Sequence, residues 1–186
     1  MRTLRFTAAI SLLLTILLGT EGCKDGNGIV DSFTHFGFET DYVVKVPASP
    51  LTAVPVEILT PEIATHSDVL FSANKTRADL VEEIRLTQLD LSVKTPEGGT
   101  LDFLKSVDIY ALAEGLPAVR VAYKDDVPAG VGNSLMLDVT NVDLTEYFKK
   151  TKYQLRITVV SDQVVEQDYG VNSHAKFFVD AKVLGQ

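Results

Sequence analysis

The stretch VNSHAKFFVDAKV, residues 171–183, decides how this chain is read. Val171, Ser173, Ala175, Phe177, Val179, Ala181 and Val183 share one parity, while Lys176, Asp180 and Lys182 fall on the other. Successive side chains of a strand point to opposite faces, so this period of two predicts a long strand with one buried and one wet face. An amphipathic helix would repeat its apolar residues every three to four positions instead.

The same period recurs upstream. Phe36, Phe38, Thr40, Tyr42, Val44 and Val46 alternate with Gly37, Glu39, Asp41 and Lys45. Val54, Val56 and Ile58 alternate around Pro55, which has no N–H for a ladder and so places this strand at a sheet edge. Val69 and Phe71 suggest a short strand. Ile84 and Leu86 then sit on one parity and Leu89, Leu91 and Val93 on the other. A β-bulge near Thr87-Gln88 would return both sets to a common face. Val107 to Ala113, Val119 to Tyr123, Leu135 to Val139 and Tyr153 to Val159 complete the set.

Pro96-Glu97-Gly98-Gly99 and Gly115-Leu116-Pro117 mark turns between these runs. Thr76–Asp79 and Asp143–Glu146 have capping-box spacing, and each predicts a short helical turn. Asp102–Lys105 predicts another. About seven or eight strands with so little helix predict an all-β, antiparallel β-sandwich over residues 35–186. A closed barrel shares the periodicity. The expected core is Phe38, Tyr42, Val44, Leu89, Leu91, Ile109, Val121, Leu137, Leu155, Ile157, Phe177 and Val179. In general pattern the chain resembles small extracytoplasmic immunoglobulin-like domains, a likeness that implies a fold and no function.

Residues 1–23, MRTLRFTAAISLLLTILLGTEGC, follow another logic. Arg2 and Arg5 precede an apolar run from Phe6 to Leu18, and small and polar residues lead to Cys23, the only cysteine. A cationic start, a short apolar run and a small-residue site describe a removable export signal. The run is 13 residues, short of the roughly 20 that a spanning helix needs. Gly22-Cys23 resembles the end of the lipobox of bacterial lipoprotein precursors, with Thr20 where that family usually has Leu and Glu21 where it has a small residue. The resemblance implies a signal peptide over 1–22, acylation at Cys23 and a flexible tether over 23–34. It also implies a place in the bacterial cell envelope, expected at the outer membrane. Acylation would account for an exported thiol that has no partner for a disulfide.

Composition narrows the function classes. Loss of two arginines and one glutamate with residues 1–22 takes the net charge from −8 to −9 and leaves 164 residues, enough for one domain with its own core. That acidity argues against nucleic acid as a partner, since phosphate recognition needs clustered Lys and Arg. His35, His66 and His174 are far apart and lack metal-ligand spacing, so no metal is expected. Gly130-Val131-Gly132-Asn133-Ser134 is glycine-rich, fits no phosphate loop, and is read as a corner. Asp125-Asp126 and Asp138-Asn141-Asp143 lack EF-hand spacing and read as loop residues and caps. Asn74-Lys75-Thr76 matches a glycosylation triplet by chance, with Thr76 read as a cap. No nucleophile elbow occurs.

The expectation is a non-catalytic binding or structural module that needs no cofactor. It would be held to a membrane through a lipid and would meet a protein or glycan partner. Two alternatives follow from the same residues: a carrier whose Leu- and Val-rich strand faces enclose an apolar ligand, and a hydrolase with an acidic site.

Overall fold

The computed structural model describes residues 35–182. In chain order the elements are β1 (His35–Val46), β2 (Pro55–Leu59), β3 (Ile63–Ala64), α1 (Ser67–Ala73), a 3-10 turn (Ala78–Leu80), β4 (Val81–Thr95) and β5 (Leu104–Leu112). There follow β6 (Val119–Lys124), β7 (Ser134–Met136), β8 (Asp138–Val139), α2 (Thr145–Phe148), β9 (Lys152–Ser161) and β10 (Tyr169–Ala181).

The strands form two antiparallel sheets. One has four strands in the order β1-β10-β4-β7. The other runs β2-β9-β5-β6-β8, with β3 also pairing with β9. The inward faces meet in one core that includes Val44, Ile84, Leu91, Ile109, Val121, Ile157 and Val179. The all-β, two-sheet expectation therefore holds, and four core candidates, Phe38, Tyr42, Leu155 and Phe177, pack against that core while only partly buried.

The immunoglobulin-like part of the expectation needs correction. That fold keeps its first two strands side by side in one sheet. Here β1 and β2 lie in different sheets, and β1 pairs with the last strand instead. With the two-residue strands β3 and β8 set aside, the strands run first-eighth-third-sixth in one sheet and second-seventh-fourth-fifth in the other. This is jelly-roll connectivity, two interlocked Greek keys. Alternation within a strand is the same in either fold, which is why the pattern did not separate them.

Local expectations meet the structure unevenly. The bulge lies where the parity change demanded it: Lys176 pairs with Gln88 and Phe177 with Leu86, leaving Thr87 as the extra residue. Pro55 opens the edge strand β2. Residues 69–71, in contrast, belong to helix α1 rather than a strand. Phe71 is 1 % exposed and Val69 65 % exposed, so the two same-parity residues point to opposite environments, as helical spacing allows and a strand does not. Asp102 and Phe103 form a turn that leads directly into β5. The Gly130–Ser134 loop is the corner that carries the chain from β6 in one sheet to β7 in the other. Gly132, with φ 77°, occupies left-handed backbone there, and its N–H donates to the Asp102 carboxylate at 2.9 Å.

Candidate functional site

Cys23 and residues 1–34 lie outside the described residues, so the candidate surface is built from the folded part. The three histidines are not brought together. His35 opens β1, with Nε2 3.3 Å from Asp180. His174 lies six residues before Asp180 on β10, about 20 Å away along the strand. His66 precedes α1 in left-handed backbone. Among the described residues no group of three or more His, Cys, Asp or Glu side chains is placed to hold a metal ion.

The acidic loops have local partners. Asp125 accepts from Arg120 at 3.0 Å and Asp138 from Lys124 at 3.2 Å. Asp143 accepts the Thr145 N–H at 2.9 Å, an Asx-type turn at the start of α2. Burial pushes the Asp143 carboxyl upward, but hydrogen bonds from Thr145 and the Ile84 N–H outweigh it and hold the group below the usual carboxylate value. Thr76 does not cap the turn that follows. Its hydroxyl donates to the Lys182 carbonyl at 2.6 Å and ties the end of the last strand to the body.

Cavities inside the sandwich are small. A void of about 30 Å³ lies between the sheets, lined by residues such as Val44, Leu91, Phe103, Ile109 and Ile157. Another of about 40 Å³ lies beside Phe148 and Phe177. Small-molecule sites occupy about 300–1,000 Å³, so these voids are water-sized and do not favour the carrier alternative. Larger grooves are open and on the surface. One of about 500 Å³ runs between Glu62, Glu114 and Lys150–Gln154.

The most organised polar surface is the outer face of the four-stranded sheet along β1 and β10. Asp41 stands at its centre. Asn172 Nδ2 donates to Asp41 Oδ1 at 2.8 Å, and His174 Nδ1 lies 3.2 Å from the same oxygen. His174 Nε2 is 3.5 Å from Glu39, and Lys176 Nζ reaches the other Glu39 oxygen at 3.5 Å. The Asn172 hydrogen bond, aided by His174, holds Asp41 below the usual carboxylate value. Lys45 pairs with Asp168 at 2.7 Å at the end of the same row. Val43 interrupts this polar row and is 54 % exposed. The sequence already carried that signal, an apolar residue on the wet parity of β1.

No protein-family model matches the chain, and no curated protein matches it. Among solved structures the chain is similar to a decameric BFDV capsid protein at 9 % identity and a TM-score of 0.37, covering 80 % of this chain and 98 % of that one. It is also similar to the Desmodium yellow mottle tymovirus structure, at 9 % identity and a TM-score of 0.23 over 100 % of this chain and 97 % of that one. A structure of the empty head of turnip yellow mosaic virus gives 9 % identity and 0.24, over 97 % and 92 %. Likeness at this level carries no activity or partner across.

Proposed function

We propose that the protein is a lipid-anchored module of the bacterial cell envelope, expected at the outer membrane, whose β-sandwich binds a protein or glycan or serves a structural role without catalysing a reaction. The observation that carries this reading is the order of parts: a cationic, apolar leader, the only cysteine at position 23, and a folded domain under way by His35, twelve residues later. Acyl chains on that sulfur and on the new amino terminus would provide the two or more signals that stable anchoring requires. Among the described residues no helix is long and apolar enough to cross a membrane.

The test is labelling of producing cells with a radioactive or clickable fatty acid, together with intact mass of the purified product. The expected result is a product that begins at Cys23, carries acyl mass, and fractionates with membranes. Cys23→Ser should abolish label and membrane retention together. A product that starts elsewhere, or a free thiol at Cys23, overturns the anchor. The bound partner is sought separately, by retention of envelope glycans and proteins on the immobilised domain.

A further inference from the structure

The sheet edges are not equal. β7 has three residues and β8 two. β2 has five and begins with proline. Short strands, proline and charged side chains are the usual ways in which an edge is made unattractive to another strand. β1 is neither short nor interrupted by proline, and its charges, Glu39, Asp41 and Lys45, are of both signs. It runs for twelve residues, holds one unbroken register with β10, and carries no charge on its inward parity. β10 meets β4 with three irregularities on its other side. Among the described residues no strand pairs with the outer edge of β1.

Neighbouring atoms show which main-chain groups that edge presents. The Phe177 carbonyl faces β1, 3.2 Å from where a Cβ on Gly37 would stand. The Lys176 carbonyl faces the other way and accepts the Thr87 hydroxyl at 3.0 Å. Glu39, opposite Lys176, therefore turns its own N–H and C=O away from β10. By alternation Asp41, Val43 and Lys45 do the same, and their side chains lie on the exposed parity.

We propose that this edge pairs with β1 of a second copy of the chain, antiparallel, with Val43 on the two-fold axis. In that register Val43 meets Val43, and Asp41 of each copy meets Lys45 of the other, twice, with Lys45 turning to it from its exposed partner Asp168. On the inner face Tyr42 meets Val44 and Thr40 meets Val46, which extends the buried side of the sheet. Competing registers are worse. Centring on Asp41 or Lys45 sets like charges opposite each other, which is destabilising. Centring on Tyr42 or Val44 sets Val43 against a charge. The commitment to a second copy rests on this self-complementarity of charge. It does not depend on the anchor.

The test uses the full chain with Cys23→Ser, which removes the native thiol and makes the outcome independent of acylation. Paired residues that share both main-chain hydrogen bonds have Cα atoms about 5.5 Å apart, within disulfide range. Val43→Cys should therefore give a covalent dimer on mild oxidation. Lys45→Cys should not, because its copies lie about 13 Å apart along the joined strands. Sedimentation velocity should show a concentration-dependent doubling of mass. Asp41→Lys or Lys45→Asp alone should weaken it by about tenfold, and a mixture of the two variants should restore it as a mixed dimer. Equal crosslinking of both cysteine variants, crosslinking of neither, or no recovery in the mixture overturns the proposal.

Discussion

The Thr145 hydroxyl accepts the backbone N–H of Ile84 at 3.0 Å and donates in turn to the Asp143 carboxylate. Ile84 is fully buried at the start of β4, and Thr145 is buried at the start of α2. The hydroxyl is thus the nearer of two side-chain acceptors for a core amide that β7, paired only with residues 90–92 of β4, does not reach. Thr145→Val keeps the shape and leaves the amide only its longer contact to Asp143 Oδ1, at 3.4 Å. Loss of the shorter of the two bonds should cost about 1 kcal/mol, and urea unfolding should show a midpoint lowered accordingly, with Thr145→Ser close to wild type.

Asp143 should contribute to the acid limb of stability. Its carboxyl is held below the unfolded value of about 3.9. A group with a depressed folded value stabilises fully above the unfolded pKa and loses that contribution as pH falls through the folded one. Thermal melts from pH 6 to pH 2 should therefore steepen below about pH 4. Asp143→Asn should flatten that decline while lowering the melting temperature at neutral pH. An unchanged acid limb in the variant would assign the effect to other carboxylates.

Thr87 is the single extra residue that lets Ile84 and Leu86 share a face with Leu89 and Leu91. Deleting it should turn one half of β4 outward, because a shift of one residue exchanges the faces of a strand. The expected result is loss of the cooperative transition in circular dichroism. Thr87→Ala, which keeps the count and loses only the hydroxyl bond to Lys176, should cost about 1 kcal/mol.

Phe148, from the one turn of α2, meets an aromatic group edge-on. Its ring lies 5.4 Å from Phe38, 5.1 Å from Phe177 and 6.1 Å from Tyr153, centre to centre. Phe148→Ala removes a buried aromatic side chain and should cost about 3–5 kcal/mol. Phe148→Leu should recover part of that. A loss below about 1 kcal/mol would mean that the cluster collapses into the space at little cost.

Much of this architecture is legible in the residues, for a physical reason. Where one face is buried, the alternation of Phe36 to Val46 and of Val171 to Ala181 reports the strand directly, and a break in parity, as at Thr87, reports the bulge; Val183 lies outside the described residues. Pairing between distant strands leaves no such trace. Nothing in Phe38 or Phe177 announces that β1 lies against β10, so the jelly-roll connectivity was hidden while the two-sheet class was not. Helix α1 was hidden because seven residues with only Phe71 and Ser67 buried give too short a pattern to separate from a strand. Thr76 looked like a cap because its spacing was right, but its hydroxyl found a carbonyl 106 residues away. The polar row around Asp41 depends on cross-strand neighbours and was equally out of reach, apart from Val43.

His35 and Asp180 face each other across β1 and β10. Main-chain positions opposite one another in an antiparallel ladder are only about 5 Å apart. A short glycine-rich bridge from Lys182 back to His35 would close the folded part into a ring, and cutting that ring in the exposed bend near Gly130 would give a rearranged gene product with all of its sheet partners retained. Such a permuted molecule is a convenient vehicle for displaying a guest peptide, because the new ends emerge at the β6–β7 bend, away from the former ones.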